Sequence, residues 1–373
     1  MKIFKISNKF YYGVVIGALI LLSIIYYTNS YIDYKGIYSI SEEDKDRFSK
    51  NYVDMLLESD NALPQVAAIR RFKYALLNQK KSDCYLVGSS RFMEIDLNTV
   101  STLKNDCTNV LNLWAPGAGL EDVLSFSAEI LDKTHIGKVF IELRLKSLYP
   151  ESTALWRDVE NKYSAALKTF DIAIEKNYFS ANVQYYLNRF SLQYLSTNLR
   201  SFYIPELIRS KKRFRSLIDN IGNGDASFLR QPTESEDVNY KTGRSRHAEK
   251  VVHSGWNEEA YLKFPVKSPA FEERYYKILF KTFDKLKRSG LEPIIVLMPY
   301  NNNVWSCRNE KYCGALNEAS GKIRKLAQEL SINLIGSFNP QDMGLQATDF
   351  YDSIHLDYHK IDNVFKFKKA KTE

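Results

Sequence analysis

Short apolar runs alternate with amphipathic segments in two parts of the chain. Five runs have the length and composition of buried strands, at residues 84–89, 109–115, 138–145, 293–298 and 332–335. Segments with apolar residues at helical spacing lie between them, at 120–133, 271–289 and 317–330. Such alternation is typical of a doubly wound α/β domain. The pattern therefore predicts a flavodoxin-like, five-stranded parallel sheet, split between residues 81–150 and 265–373.

The alternation is interrupted by residues 151–264. This stretch is helix-rich and aromatic as far as residue 221, and it is then polar and punctuated by Gly and Ser. We interpret it as a helix-rich insertion between the third and fourth strands. Its basic run RSKKRFR at 209–215 fits either a solvated helix face or a contact with anionic lipid or polymer.

An uncharged run of 23 residues, 10–32, lies near the N-terminus. At about 1.5 Å per residue, a helix of this length can cross the roughly 30 Å hydrocarbon layer of a bilayer. Lys2, Lys5 and Lys9 precede the run, so the positive-inside rule places the N-terminus in the cytoplasm and the rest outside. We expect residues 1–32 to be a cytoplasmic tip and an uncleaved single-pass anchor in the inner or plasma membrane, because a signal peptide has a shorter apolar core. Residues 33–80 are expected to form a helical stalk, or a collar packed on the main domain.

The overall composition is that of a folded globular protein. The chain has 373 residues, of which 26% are charged and 45% apolar, and this excludes a disordered tail and a multi-span transporter. A net charge of +8 is a mild basic bias that suits an anionic membrane or polymer and does not indicate nucleic acid. The aromatic share of 13% would suit carbohydrate binding, but a compositional preference of the coding genome explains it more simply.

Four cysteines bear on the compartment. Cys84 and Cys107 stand at the starts of two runs predicted as adjacent strands, so their side chains could face each other at bonding distance. Cys307 and Cys313 bracket a short polar loop that a disulfide could close. Two bridges fit an oxidising compartment, although four unpaired thiols remain an alternative. A zinc site is disfavoured because no Cys-x-x-Cys or paired His spacing accompanies them.

The first predicted strand runs directly into Gly88-Ser89-Ser90-Arg91. In an open parallel sheet, ligands bind outside the carboxyl ends of the strands. Gly88 permits a sharp turn there, and a serine that begins the next helix has its hydroxyl near backbone N–H groups and a positive helix end. Ser90 is therefore a candidate nucleophile, although Phe92 occupies the second glycine position of a Gly-x-Ser-x-Gly elbow.

A serine nucleophile needs a base, and His355 follows the fifth predicted strand in the sequence DSIH. Asp352, three residues earlier, can fix the tautomer of the imidazole and leave the other ring nitrogen for a serine. The alternative is an ordinary surface turn. His135, His247 and His253 are poorer bases, because they lie at the wrong end of the sheet or in the insertion.

A glycine-containing turn follows the second predicted strand, in the sequence NLWAPGAG. Gly117 in this turn lets a backbone N–H approach a substrate oxygen without a side chain in the way. A glycine that only permits the turn is the alternative interpretation.

Three stretches together resemble the SGNH, or GDSL-like, hydrolase superfamily: GSSRF at 88–92, NLWAPGAGLED at 112–122 and DFYDSIHL at 349–356. The resemblance is to its membrane-anchored, extracytoplasmic members associated with acylation of cell-envelope polymers, including the D-alanyl transfer protein DltD and the alginate acetylation proteins. It implies that Ser90 is the nucleophile, His355 the general base and Asp352 its orienting carboxylate, with Gly117 and the Ser90 amide in the oxyanion hole.

The resemblance implies a membrane-anchored serine O-acyltransferase or esterase that acts through an acyl-enzyme on an envelope polysaccharide or another acyl-bearing carbohydrate. No metal or organic cofactor is required. The implied partners are the polysaccharide, the lipid bilayer and, as a further candidate, a membrane acyltransferase, with no nucleic acid.

The third strand departs from the pattern of the family. It ends in ELRLKS, without Gly-x-Asn-Asp and without an asparagine. Arg144 or Lys146 could supply the missing oxyanion donor, or Asn301 after the fourth strand could reach in. One such donor is typically worth about 10²- to 10³-fold in turnover. The altered strand end motivates the alternative function, a non-catalytic SGNH-like scaffold or glycan-binding partner of a membrane acyltransferase.

Overall fold

The structure, a computed structural model, describes residues 8–32, 69–97, 99–148, 160–173, 195–196, 238–239, 244–245, 273–305 and 310–367. The chain divides into two compact units, one of Met1–Asn51 with Ile174–Phe228 and the other of Tyr52–Ala173 with Leu229–Glu373. Four predicted features fall largely or wholly outside the described residues: the stalk, the insertion, the basic run at 209–215 and the Cys307–Cys313 bridge.

A five-stranded, all-parallel sheet forms the centre of the larger unit, as the alternating pattern predicts. Its strands are β1 (Cys84–Val87), β2 (Val110–Asn112), β3 (Gly137–Glu142), β6 (Leu291–Leu297) and β7 (Asn333–Gly336). Two further short strands are β4 (Val238–Asn239) and β5 (Arg244–Ser245). β4 and β5 pair only with each other, as an antiparallel ribbon inside the predicted insertion. The sheet order β2-β1-β3-β6-β7 is doubly wound, and its direction of winding reverses between β1 and β3. In open α/β sheets, ligands bind at such a switch point, outside the carboxyl ends of the strands.

Helices cover both faces of the sheet. Those of the larger unit are α2 (Ile69–Gln79), α3 (Ser101–Asp106), α4 (Leu120–Lys133), α5 (Glu160–Thr169), α6 (Glu273–Arg288), α7 (Asn302–Trp305), α8 (Glu310–Leu330) and α9 (Ile361–Lys366), and α1 (Asn8–Ile32) belongs to the smaller unit. On one face α4 contacts α2, α5 and α6, and α6 contacts α8; on the other, α3 contacts α9.

Burial on both faces explains the continuous apolar runs of the sequence. Successive side chains of a strand point to opposite faces. Leu86 and Val296 belong to the core cluster that also contains Leu103 from α3 and Val364 from α9. Tyr85 points to the other face and is equally buried. Side chains on both faces of the central strands are therefore buried, and this is the situation of a parallel sheet between two helical layers.

The smaller unit contains α1, a helix of 25 residues whose side chains between Val15 and Ile24 are mostly apolar and exposed. Within the described part of the chain, no helix has both the length and the apolar character required to cross a membrane.

The disulfide expected between Cys84 and Cys107 is present, with a Cα–Cα distance of 5.8 Å. Cys84 begins β1, and Cys107 follows α3 just before β2, so the parallel pairing of the two strands brings the cysteines together. Both residues are buried in the core cluster. The bridge ties α3 to the sheet beneath it.

Candidate active site

The serine, the histidine and the aspartate singled out from the sequence lie together at the carboxyl edge of the sheet. The Ser90 hydroxyl is 2.8 Å from Nε2 of His355, across 265 residues of chain. Nδ1 of His355 is 2.6 Å from Oδ2 of Asp352. A carboxylate at this distance favours the tautomer with its proton on Nδ1, so Nε2 can accept the proton of the serine. The three groups form the hydrogen-bonded chain of a nucleophile, a base and an orienting carboxylate.

The loop that carries His355 holds Asp352 in its ionised form. Oδ1 of Asp352 accepts hydrogen bonds of 2.8 Å from the backbone N–H groups of Ile354 and His355. Burial by itself would raise the pKa of Asp352, but the hydrogen bond to His355, its charge and these two N–H groups together lower the pKa below its usual value. The imidazole is thus oriented by an anion.

Asn301, four residues beyond the end of β6, supports this loop. Its backbone N–H donates to the carbonyl of Ser353, and its side-chain Nδ2 donates to the carbonyls of Ala347 and Asp352 at 3.2 Å each. Because both hydrogens of the amide are directed at backbone carbonyls, the contacts of Asn301 are those of a positioning residue for the His355 loop. They do not match the oxyanion donor expected from the sequence.

A buried ion pair fixes the turn that carries Ser90. Glu142, the last residue of β3, accepts from the Ser89 backbone N–H at 2.5 Å and from Nε of Arg91 at 2.6 Å. The Arg91 and Glu142 side chains are only 2% and 1% exposed. Ser90 therefore stands between two neighbours that the same carboxylate holds.

Gly88 is required in this turn because the space around it is already filled. A Cβ atom there would lie 2.7 Å from the Phe92 ring and 2.8 Å from Oε2 of Glu142. Both distances are shorter than atoms of real side chains tolerate. Phe92, at the position of a second glycine, is fully buried, and its ring fills the space beside Gly88.

Gly117 lies in the turn after β2 with φ of 61°, the left-handed region that glycine adopts without strain. Its carbonyl accepts a 2.8 Å hydrogen bond from Nη2 of Arg144. Among the described residues, no hydrogen-bond acceptor faces the backbone N–H groups of Ser90 and Gly117. N–H groups without an internal acceptor are the kind of donor that an oxyanion hole uses.

Arg144 is brought to the site by β3, but it acts on the turn that carries Gly117. Burial lowers the pKa of its guanidinium, and the charge of Glu142 opposes that effect. Its Nε is buried without a partner among the described residues. Of the two candidates at this strand end, Arg144 is thus at the site, whereas the side chain of Lys146 lies outside the described residues.

Sequence reasoning missed the charged residues beneath the site. In the sequence, Arg91 follows the candidate serine and Glu142 ends a predicted buried strand. Because a buried charge needs a partner of opposite charge, these two positions could have indicated an ion pair. Within the described residues, no group of three or more His, Cys, Asp or Glu side chains is placed to bind a metal ion.

The chain was also compared with known proteins. It matches no protein-family model, and no curated protein shows a significant similarity to it.

Proposed function

We propose that the protein is a serine O-acyltransferase or esterase of the SGNH type, which forms an acyl-enzyme on Ser90. The observation that carries the proposal is the continuous chain of hydrogen bonds from Ser90 through His355 to Asp352, at 2.8 and 2.6 Å. Its support is geometric, because these groups come from opposite ends of the domain and meet at the switch point of the sheet.

In the first half of the reaction, the Ser90 oxygen attacks the carbonyl carbon of an ester and its proton passes to Nε2 of His355. The negative charge on the substrate oxygen would be bound by the N–H groups of Ser90 and Gly117. The ester C–O bond then breaks, and His355 returns the proton to the departing alcohol oxygen. The acyl group is left as an ester on Ser90.

In the second half, His355 takes a proton from water or from a sugar hydroxyl, whose oxygen attacks the acyl-enzyme. Collapse of the second tetrahedral species releases the free acid or the new ester, and the proton returns to the Ser90 oxygen. Asp352 stabilises the imidazolium in both halves. Transfer and hydrolysis thus differ only in which hydroxyl enters the site.

We further propose an extracytoplasmic location with the site tethered to the membrane, and an envelope polysaccharide as acceptor. The support is the uncharged run at 10–32 behind Lys2, Lys5 and Lys9, together with the disulfide, which persists in oxidising compartments. A tethered site would stay near donors delivered through the membrane. Extraction of the full chain by detergent but not by carbonate is the expected behaviour.

The decisive experiment is covalent labelling with a fluorophosphonate, which reacts with activated serines. Wild-type protein is expected to label, and Ser90→Ala and His355→Ala are expected to lose the label. His359→Ala is the matched control, because His359 is an exposed histidine four residues further along the chain. Equal labelling of wild type and Ser90→Ala would remove Ser90 from the mechanism.

Acetyl analysis of surface polysaccharide then distinguishes the enzyme from a scaffold. Cells that carry Ser90→Ala should lose the acyl modification if the protein transfers it. Full modification in those cells, with loss only when the whole protein is deleted, would favour the non-catalytic partner of a membrane acyltransferase.

A further inference from the structure

The turn that carries Gly117 is held by a helix outside the α/β alternation. α2 precedes β1 in the chain, and its Arg70 is only 3% exposed. Nε and Nη2 of Arg70 donate to the two carboxylate oxygens of Asp122 at 2.7 and 2.9 Å. Nη2 also donates to the carbonyl of Pro116 at 2.8 Å. One guanidinium therefore joins the start of α4 to the turn.

The Pro116 carbonyl and the Gly117 N–H belong to the same peptide unit. That peptide bond is trans, so its C=O and N–H point in opposite directions within one plane. A cation fixed on the carbonyl side thereby sets the direction of the Gly117 N–H on the other side. A hydrogen bond to the carbonyl also polarises the amide, and this strengthens its N–H as a donor.

Further contacts hold the turn on either side of this peptide. Nη2 of Arg144 binds the carbonyl of Gly117 itself, and Oδ2 of Asp122 accepts from the Gly119 N–H at 3.1 Å. Nζ of the fully buried Lys73, also on α2, donates to the carbonyl of Asn112 at 2.8 Å. The N–H of Gly117 thus belongs to a turn in which arginine side chains hold the carbonyls of both Pro116 and Gly117.

We propose that Arg70 is a positioning residue for the oxyanion hole, which aims and polarises the Gly117 N–H through the Pro116 carbonyl. α2 then belongs to the catalytic unit as well as to the support of the domain. This inference rests on the proposed function, because it assigns the Gly117 N–H to the oxyanion.

The first test compares Arg70→Lys with wild type in the full-length, detergent-solubilised protein, with 4-nitrophenyl acetate as substrate. A lysine keeps a positive charge that can pair with Asp122. It lacks the planar guanidinium that binds Asp122 and the Pro116 carbonyl at the same time. We expect kcat to fall about 10- to 100-fold, part of the value of one oxyanion donor, with KM within threefold. The inhibition constant of a short alkyl trifluoromethyl ketone, whose serine adduct carries the oxyanion, should rise by the same factor as kcat falls.

A second variant separates positioning from stability. Arg70→Gln with Asp122→Asn replaces the buried ion pair by two neutral amides, so no buried charge is left unpaired, and the amide oxygen at position 122 can still accept from the Gly119 N–H. Its thermal midpoint should stay closer to that of wild type than the midpoint of Arg70→Met, while kcat falls as in Arg70→Lys. The matched control is Lys287→Met, which removes a cation 2.7 Å from the Leu330 carbonyl near the opposite edge of the sheet, and whose kcat should be unchanged.

The outcomes separate the inference from the function on which it rests. Wild-type protein that neither hydrolyses the ester nor reacts with a fluorophosphonate would overturn the proposed function. Active wild type, with kcat and ketone affinity of both Arg70 variants within threefold of it, would overturn the positioning role alone. Loss of kcat without loss of ketone affinity would likewise overturn it, since the oxyanion donor would then be intact.

Discussion

Replacement of Glu142 by glutamine is expected to weaken both the fold and the nucleophile. The carboxylate of Glu142 is the charge partner of Arg91 and the acceptor for the Ser89 N–H, at 2.6 and 2.5 Å. Glutamine keeps the shape of the side chain but offers one acceptor where the site presents two donors. Either Arg91 or the Ser89 N–H must then face an NH₂ group.

The magnitude follows from how completely the pair is buried. With side chains 2% and 1% exposed, water cannot replace the lost charge. Removal of one partner of a buried ion pair typically costs about 3–5 kcal/mol, and an unsatisfied buried donor about 1–3 kcal/mol. Because these two costs describe overlapping losses, we expect the free energy of unfolding to fall by about 3–5 kcal/mol at neutral pH.

The loss should depend on pH with a definite sign. Burial would raise the pKa of Glu142, but the charges of Arg91 and Arg144 and the bonds to Ser89 lower it below the usual value. Its stabilising contribution is therefore present above the unfolded pKa of about 4.3 and is lost as the pH falls through the lower folded pKa. The difference between wild type and Glu142→Gln should accordingly shrink in acid.

Urea unfolding at several pH values measures this difference, with rates of fluorophosphonate labelling as a second readout. Glu292→Gln is the matched control, because Glu292 is an exposed glutamate in β6, and a change within about 0.5 kcal/mol is expected there. An unfolding free energy for Glu142→Gln within that range of wild type, at neutral pH, would refute the argument that the pair is a necessary part of the turn.

Three further changes test other parts of the structure. Loss of the disulfide in Cys84→Ala with Cys107→Ala should cost about 3 kcal/mol on the chain-entropy model for a separation of 23 residues; identical urea unfolding of oxidised and reduced wild type would contradict it. Burial raises the pKa of Glu121 to about 7, so its protonated form favours folding and stability is lost as the pH rises from about 4.3 towards 7. Glu121→Gln should therefore unfold with a free energy on the order of 2–3 kcal/mol higher at pH 8, with little gain at pH 4, and a gain that is equal at both would contradict the titration. Gly88→Ala should lower the free energy of unfolding by about 1–3 kcal/mol through overpacking and slow labelling of Ser90; an unchanged free energy of unfolding would mean that the Phe92 ring moves freely.

Much of the fold was predictable because its signals are local. Each of the five apolar runs overlaps a strand of the sheet, and the parallel pairing of β1 with β2 brings Cys84 close to Cys107, which lies just before β2. Ser90 and His355 were also within reach, since each directly follows a strand or its loop and carboxyl ends of parallel strands meet at one edge. Asn301 was one candidate oxyanion donor, but its side-chain amide donates to the carbonyls of Ala347 and Asp352. Its position after a strand does not determine the direction in which the amide points.

The order of apolar and polar residues by itself determined the parallel sheet and the edge at which a serine and a histidine meet. Both follow from the short continuous apolar runs of strands buried on both faces and from the 3.6-residue period of the helices between them, which are signals over a few neighbouring positions. Only the tertiary structure decided that Glu142 pairs with Arg91 and that Arg70 holds the turn of Gly117. A buried charge is stabilised by whichever partner the fold brings to it, and partners 46 to 52 residues away leave no periodic mark on the chain.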